Sequence, residues 1–388
     1  MIKLTSICFY LLTGILFILA ILSALFLDSN WLAYSVTIVL FAGIIYLKRF
    51  KKLKPFWLQL TATLLFFGVS LITITLTRPN LTVSLYGNLV NNSLKMANHM
   101  YEAKHGISLF VKKIETESKP YRAKDWQSPA GYTNKTINLG KARGYMLSAN
   151  KGKHTKVIYQ IHGGGYLAQF SNTYNKAAVN YSNADNQANV FSLDYRTAPK
   201  HPFPAALNDA LTGYQYLLKH GYQAKNIIIA GDSSGAGLSL ALTLYLRDHK
   251  DPLPAALVLA SPWADLTASG KSYRTNITKD PLFGSASSKK SPRHPIPITY
   301  AGKHNLKNPY ISPVFGNFKD FPPMLIQTGS NELLLSDSKT IVKKARAAKV
   351  HVKFLEFSGM YHIFYISTPQ IPEGQRAWAN IRSFVSKY

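Results

Sequence analysis

Gly231-Asp232-Ser233-Ser234-Gly235 is the segment that most constrains how this chain can fold. It directly follows the apolar run Asn226-Ile227-Ile228-Ile229-Ala230 and leads into the helical pattern 238–244. Strand, sharp turn and helix in that order put Ser233 at the tip of a tight bend, its hydroxyl held clear of neighbours. Gly231 and Gly235 suit the bend because a side chain at either would clash across it. A five-residue pattern recurs by chance, and Ser233 alone would also suit a helix N-cap. The strand before it and the helix after it give the pattern its weight.

From about residue 80 onward, apolar strands alternate with helical stretches. Residues 156–161, 190–194, 256–260, 324–328 and 352–357 read as short buried strands, and 85–102, 205–220 and 338–348 as helices. Repeated βα units with apolar strands predict an α/β fold: a mostly parallel sheet with helices on both faces. Residues 285–297 are rich in Ser, Lys and Pro and read as a loop or part of a lid.

The first 79 residues have a different character. Residues 4–27, 31–47 and 56–76 are apolar runs compatible with transmembrane helices. Between the second and third lies Lys48-Arg49-Phe50-Lys51-Lys52-Leu53-Lys54. Short basic loops stay on the cytoplasmic side, so Asp28-Ser29-Asn30 faces out and the third span exports everything after Arg78. A cleaved signal peptide is the other reading of the first run, and the two further apolar runs argue against it. The expected organisation is a membrane anchor over 1–79 and a catalytic domain over 80–388, in a multi-pass cell-membrane protein with its catalytic domain extracytoplasmic.

Composition narrows the setting. Cys8 is the only cysteine, so internal disulfides are excluded. A net charge of +27 points to an anionic neighbour, either lipid or wall polymer, or else to a generally basic solvated surface. Nucleic acid is not an expected partner, because an exported domain does not meet it. Membrane lipid is a partner through the N-terminal helices.

Serine is a poor nucleophile without a base. His362 lies on the loop after the 352–357 strand and fits that role. The loop after 324–328 offers two acids to orient it, Glu332 and Asp337. His162-Gly163-Gly164-Gly165 follows the 156–161 strand. The backbone N–H groups of Gly164 and Gly165, with that of Ser234, would receive an oxyanion. His162 has no second histidine or carboxylate at ligand spacing, so it organises this loop and no metal site is expected. Asp232 reads as support for the bend. Asp194, Tyr195 and Arg196 read as structural, with an Arg–Asp pair bracing the oxyanion loop. Trp263 and Asp265 are expected to pack beneath a cap.

Taken together, these segments resemble the hormone-sensitive-lipase-like branch of the α/β-hydrolases, which includes many bacterial carboxylesterases. The resemblance rests on His162-Gly163-Gly164-Gly165-Tyr166, on Asp194-Tyr195-Arg196-Thr197-Ala198-Pro199-Lys200-His201-Pro202-Phe203-Pro204-Ala205-Ala206 and on the 231–235 segment. Ser261-Pro262-Trp263-Ala264-Asp265-Leu266 and Gly359-Met360-Tyr361-His362 follow in the same order. It implies an eight-stranded sheet, a helical cap from about 84–120 and part of 267–305, and two-step ester hydrolysis without metal or cofactor. It also implies short to medium acyl chains, and it puts Glu332 at the acid position, with Asp337 as fallback. Ala236 and Lys200 depart from the family pattern, which often has glycine and an acidic residue there. The triple anchor lies outside the pattern. The expected function is a membrane-anchored serine carboxylesterase acting on a small ester or an acylated envelope substrate. The alternative is a catalytically silent protein of the same fold that grips anionic envelope polymers.

Overall fold

Eight segments pair into one sheet: β1 (Tyr132–Asn138), β2 (Arg143–Ala149), β3 (Val157–Ile161), β4 (Asn189–Asp194), β5 (Ile227–Asp232), β6 (Ala256–Ala260), β7 (Met324–Gly329) and β8 (Val352–Phe357). Their order across the sheet is β1-β2-β4-β3-β5-β6-β7-β8, with β2 antiparallel to both β1 and β4 and every other pair parallel. In this computed structural model the described residues are 2–49, 55–78, 80–116, 121–150, 155–286 and 297–388. Most of the basic segment 48–54, and residues 287–296 of the expected loop, lie outside them.

The central strands are apolar on both faces, as strands covered by helices must be. Every residue of β3, β5, β6 and β7 is buried. The antiparallel β1–β2 pair has no such run. Its first strand, Tyr-Thr-Asn-Lys-Thr-Ile-Asn, is largely exposed at the sheet edge.

The helices are α1 (Ile2–Phe26), α2 (Trp31–Arg49), α3 (Phe56–Leu76), α4 (Leu85–His105), α5 (Leu109–Thr116), α6 (Asn172–Ala184), α7 (Ala205–Lys219), α8 (Ser234–Asp248), α9 (Ser272–Thr275), α10 (Leu335–Ala347), α11 (Phe364–Ser367) and α12 (Pro372–Val385). From β3 the chain steps through α6 to β4 on one side, then returns through α7 to β5 on the other side. Right-handed crossovers wound in opposite directions put their helices on opposite faces. So α6, packed against α12, covers one face, while α7, packed against α8, covers the other. The winding reverses at β3. Crevices for ligands form beyond the carboxyl ends of strands at such a reversal. The loops leaving β3 and β5 there begin with His162 and Ser233.

The chain divides into two compact units, Met1–Leu94 and Lys95–Tyr388, and the division falls inside α4. In the first unit, α1, α2 and α3 are each long and apolar enough to cross a bilayer. Ala20, Ala24, Ala33 and Ile74 form a buried cluster among them. Thr37, Thr63 and Ser70 are also buried, while Ile15, Ile18, Val39, Leu65 and Ile72 point outward. Phe9, Phe41 and Ile44 are buried as well, so the interior mixes small, polar and large apolar residues while the outer face is largely apolar.

In the second unit, the end of α4 and α5 are tied to the segment after α9. Asn98 Nδ2 donates to the Gly284 carbonyl at 3.0 Å, and Ser108 Oγ to that of Leu282 at 2.5 Å. Phe110 packs edge-on against Phe283, with ring centres 5.1 Å apart.

Candidate active site

Ser233 occupies the bend between β5 and α8 with φ 53° and ψ −122°. A positive φ is costly for a residue with a side chain and persists only where the surroundings enforce it. Two backbone bonds do so: Ser233 N–H donates to the Ala260 carbonyl, and Trp263 N–H donates to the Ser233 carbonyl, at 2.8 and 2.9 Å. Gly235 is needed because a Cβ there would collide with the carbonyls of Ile161 and His162. One at Gly231 would strike Gly235.

His362 follows β8 by a short loop, and its ring is fully buried. Ser233 Oγ lies 2.9 Å from His362 Nε2, and Glu332 Oε2 lies 3.0 Å from Nδ1. With the proton on Nδ1 donated to the carboxylate, Nε2 is free to accept from the serine hydroxyl. The other oxygen, Oε1, accepts from Ser261 Oγ at 2.7 Å, from Thr328 Oγ1 at 2.9 Å and from Gly329 N–H. Each carboxylate oxygen is therefore hydrogen-bonded, which burial of a charge requires. Phe283 covers the histidine, the ring centres 5.1 Å apart.

Asp337 stands elsewhere. Its Oδ2 accepts from the N–H groups of Ala264 and Asp265, both at 2.9 Å, and from Tyr273 Oη at 3.2 Å. Burial, with Asp265 nearby, pushes its carboxyl well above the usual range. It holds the 264–265 backbone and does not meet His362.

The loop after β3 lies against the bend. Gly164 and Gly165 have φ of +107° and +64°. Their N–H groups, and that of Ser234, donate to no acceptor among the described residues. Gly163 N–H is bound to Asp232 Oδ1 at 3.2 Å, and Tyr174 Oη reaches Asp232 Oδ2 at 3.4 Å. Asp232 thus ties the glycine loop to the serine bend. His162 Nδ1 bonds the Gly163 carbonyl at 2.7 Å, and burial lowers its pKa to about 4, so the ring is neutral at pH 7.

One expected brace differs. Arg196 pairs with Asp209 on α7 at 2.6 Å rather than with Asp194. Asp194 instead accepts from Tyr145 Oη at 3.1 Å. Tyr195 braces the glycine loop: its ring stacks on His162 with centres 4.2 Å apart, and its hydroxyl donates to the His162 carbonyl at 2.9 Å. The sequence pattern contained Tyr195 but carried no sign of this contact. Nor did it show Thr328 and Ser261 converging on Glu332. Trp263 is buried beside Tyr166, ring centres 5.9 Å apart. Asp265 binds the N–H groups of Thr267 and Ser269 in its own turn at 2.9 and 3.1 Å.

Burial also pushes the Asp232 carboxyl up to about 7, against the donors from Gly163 and Tyr174. A raised folded-state pKa contributes stability that is complete below the ordinary carboxylate value of 3.8 and is lost as pH rises to about 7. Asp232→Asn is therefore expected to flatten the fall in melting temperature of the full-length protein between roughly pH 4 and pH 7. A slope equal to that of the unsubstituted protein would exclude Asp232 as its source.

Residues 158–366 match the alpha/beta hydrolase fold family. The chain belongs to that family. Within it, an esterase of Acinetobacter venetianus is 37% identical over 257 residues, covering 64% of this chain and 80% of its own. An acetyl-hydrolase of Streptomyces hygroscopicus is 36% identical over 222 residues, 57% of this chain and 72% of its own. Among solved structures, an esterase/lipase from an uncultured bacterium aligns with a TM-score of 0.64 at 31% identity, covering 76% of this chain and 97% of that one. An esterase of the bacterial hormone-sensitive lipase family aligns at 0.61 and 30% identity, covering 72% and 96%. This α/β-hydrolase is of the hormone-sensitive-lipase-like type and is a serine hydrolase of carboxylic esters. The family match begins well after α3, so the three apolar helices lie outside it.

Proposed function

We propose that the chain is a membrane-anchored carboxylesterase that works through an acyl-enzyme on Ser233. The observation that carries this reading is the unbroken contact from Ser233 Oγ to His362 Nε2 and from His362 Nδ1 to Glu332, beside the Gly164 and Gly165 N–H groups that have no acceptor among the described residues. His362 takes the serine proton as Oγ attacks the ester carbonyl. The N–H groups of Gly164, Gly165 and Ser234 receive the negative oxygen of the tetrahedral intermediate. His362 then gives the proton to the leaving alcohol, and Ser233 is left acylated. Water enters and attacks the acyl carbonyl as His362 takes its proton; the acyl–Oγ bond then breaks, the acid leaves and His362 returns the proton to Ser233 Oγ. Glu332 keeps the imidazole oriented and stabilises its cation.

Residues 1–79 serve as the anchor and 80–388 as the catalytic part, with a cap drawn from about 84–120 and part of 267–305. Support for the anchor comes from three apolar helical spans, Thr5–Phe26, Trp31–Arg49 and Phe56–Leu76, of 22, 19 and 21 residues with mean hydropathy 2.5, 1.7 and 1.8. The catalytic part faces out in this reading, supported by Lys48 and Arg49 at the end of α2, residue types that favour the cytoplasmic side. In Cys8→Ser cells, an impermeant thiol reagent is expected to label Asn30→Cys and leave Lys52→Cys unlabelled. The reverse pattern would invert the topology.

The substrate reading is a small ester or an acylated envelope component with a short to medium acyl group. Two relatives named esterase and acetyl-hydrolase support it. Turnover of p-nitrophenyl esters is expected to peak at short to medium chains and fall beyond them. No turnover of any ester would favour the alternative, a silent fold gripping anionic lipid or wall polymer, to which the net charge of +27 lends its weight.

A further inference from the structure

The segment Ser261-Pro262-Trp263-Ala264-Asp265-Leu266, which follows β6, has no part in the chemistry described above. Yet it bonds the bend carrying Ser233, the loop carrying Glu332 and the loop carrying His362. Ser233 N–H bonds Ala260, where this turn begins, and Trp263 N–H bonds the Ser233 carbonyl. Ala264 and Asp265 are held by Asp337, at the start of α10 after the acid loop. Ser261 makes the central contact. Its hydroxyl donates to Glu332 Oε1 at 2.7 Å and accepts from Ile363 N–H at 3.2 Å. One buried hydroxyl thus joins the carboxylate to the residue after His362.

Two features give this contact significance. Ser261 and Ile363 both hold positive φ, 46° and 50°, and Ile363 is β-branched. Such residues persist where the surroundings over-determine them, and here the two are tied to each other. The second feature is the length of Glu332. A glutamate has one more rotatable bond than an aspartate, so its carboxylate needs more to fix it. With Oε1 held by Ser261, Thr328 and Gly329, Oε2 is the oxygen left to face His362.

We propose that Ser261 is a positioning residue of this hydrolase, whose hydroxyl fixes the Glu332 carboxylate against His362 and sets the register of the base loop. The proposal rests on the serine-hydrolase reading above. Its action runs through Glu332 and needs no contact with substrate.

The test compares Ser261→Gly and Ser261→Ala in full-length protein, on a p-nitrophenyl ester that the unsubstituted protein hydrolyses. Glycine removes the hydroxyl and also relieves the positive φ, whereas alanine removes the hydroxyl alone. Both are expected to lower kcat by roughly 10- to 100-fold, the effect of one hydrogen bond to a charged group, with KM nearly unchanged. Adding Ser261→Gly to Glu332→Gln is expected to cost no further activity, because the charge that the hydroxyl fixes is already gone. Ser261→Gly with unchanged kcat would overturn the proposal and leave only a backbone role. So would a double variant slower than Glu332→Gln by the full factor seen for Ser261→Gly alone. An unsubstituted protein that hydrolyses no ester would instead overturn the reading on which the proposal stands.

Discussion

Ser233→Ala is expected to reduce kcat on any ester by roughly a million-fold, the loss seen when the nucleophile of a cooperating triad is removed. The reason is local. Ser233 Oγ is the hydroxyl within hydrogen-bond distance of His362 Nε2, at 2.9 Å, and the bend that presents it is fixed from both sides by backbone bonds. Alanine keeps the backbone but removes the attacking atom, so the melting temperature should stay close to that of the unsubstituted protein. Residual hydrolysis above water would come from the glycine loop alone. Activity within tenfold of the unsubstituted protein would mean that another group attacks the ester.

The second large effect separates two carboxylates five residues apart. Glu332→Gln is expected to lower kcat about 10⁴-fold, by analogy with amide-for-carboxylate exchange in serine triads. The amide cannot stabilise the imidazolium, and it can favour the wrong tautomer of His362. Asp337→Asn is expected to change kcat by no more than a few-fold. Burial, with Asp265 nearby, pushes the Asp337 carboxyl well above the usual range, so its neutral form is favoured, and its Oδ1 has no partner among the described residues. An asparagine offers the same accepting oxygen to Ala264 and Asp265. If Asp337→Asn abolished turnover and Glu332→Gln did not, the acid would be Asp337. Steady-state kinetics on a single soluble ester decides between the two.

These two acids also mark how far sequence alone reached. Ser233, the glycines of 163–165 and His362 could be found because each sits in a distinctive pattern immediately after an apolar strand. Glu332 and Asp337 both follow the 324–328 strand and share one chemistry; no local pattern separates them, and the choice of Glu332 came from the family resemblance, while in the structure Asp337 lies in the first turn of α10. The central strands β3, β5, β6 and β7 were legible as buried apolar runs, whereas 352–357, expected to be buried as well, is an edge strand buried only at Val352, its Lys353 and Glu356 leaving it partly open. The β1–β2 pair was not, since Thr133, Asn134, Lys135 and Thr136 look like a loop and become a strand only by pairing. Helix α6, with Asn172, Asn175, Asn180 and Asn183, has a weak apolar face and owes its place to the sheet beneath it. Arg196 illustrates the same limit. Asp194 lies only two residues before it, but Tyr145 Oη takes the Asp194 carboxylate and α7 brings Asp209 to the guanidinium. The support around Glu332 comes from Ser261, Thr328 and Gly329 on two different strand ends, a convergence visible only in three dimensions.

The central claim is that Ser233 carries a hydroxyl made reactive by its folded surroundings. It is tested most directly by treating the full-length protein with a serine-directed fluorophosphonate and mapping the adduct by peptide mass spectrometry. The account predicts one adduct, on the peptide containing Ser233, formed by folded protein, lost on heat unfolding and strongly slowed in His362→Ala. Folded protein that forms no adduct, or forms it on a different serine, would contradict the account.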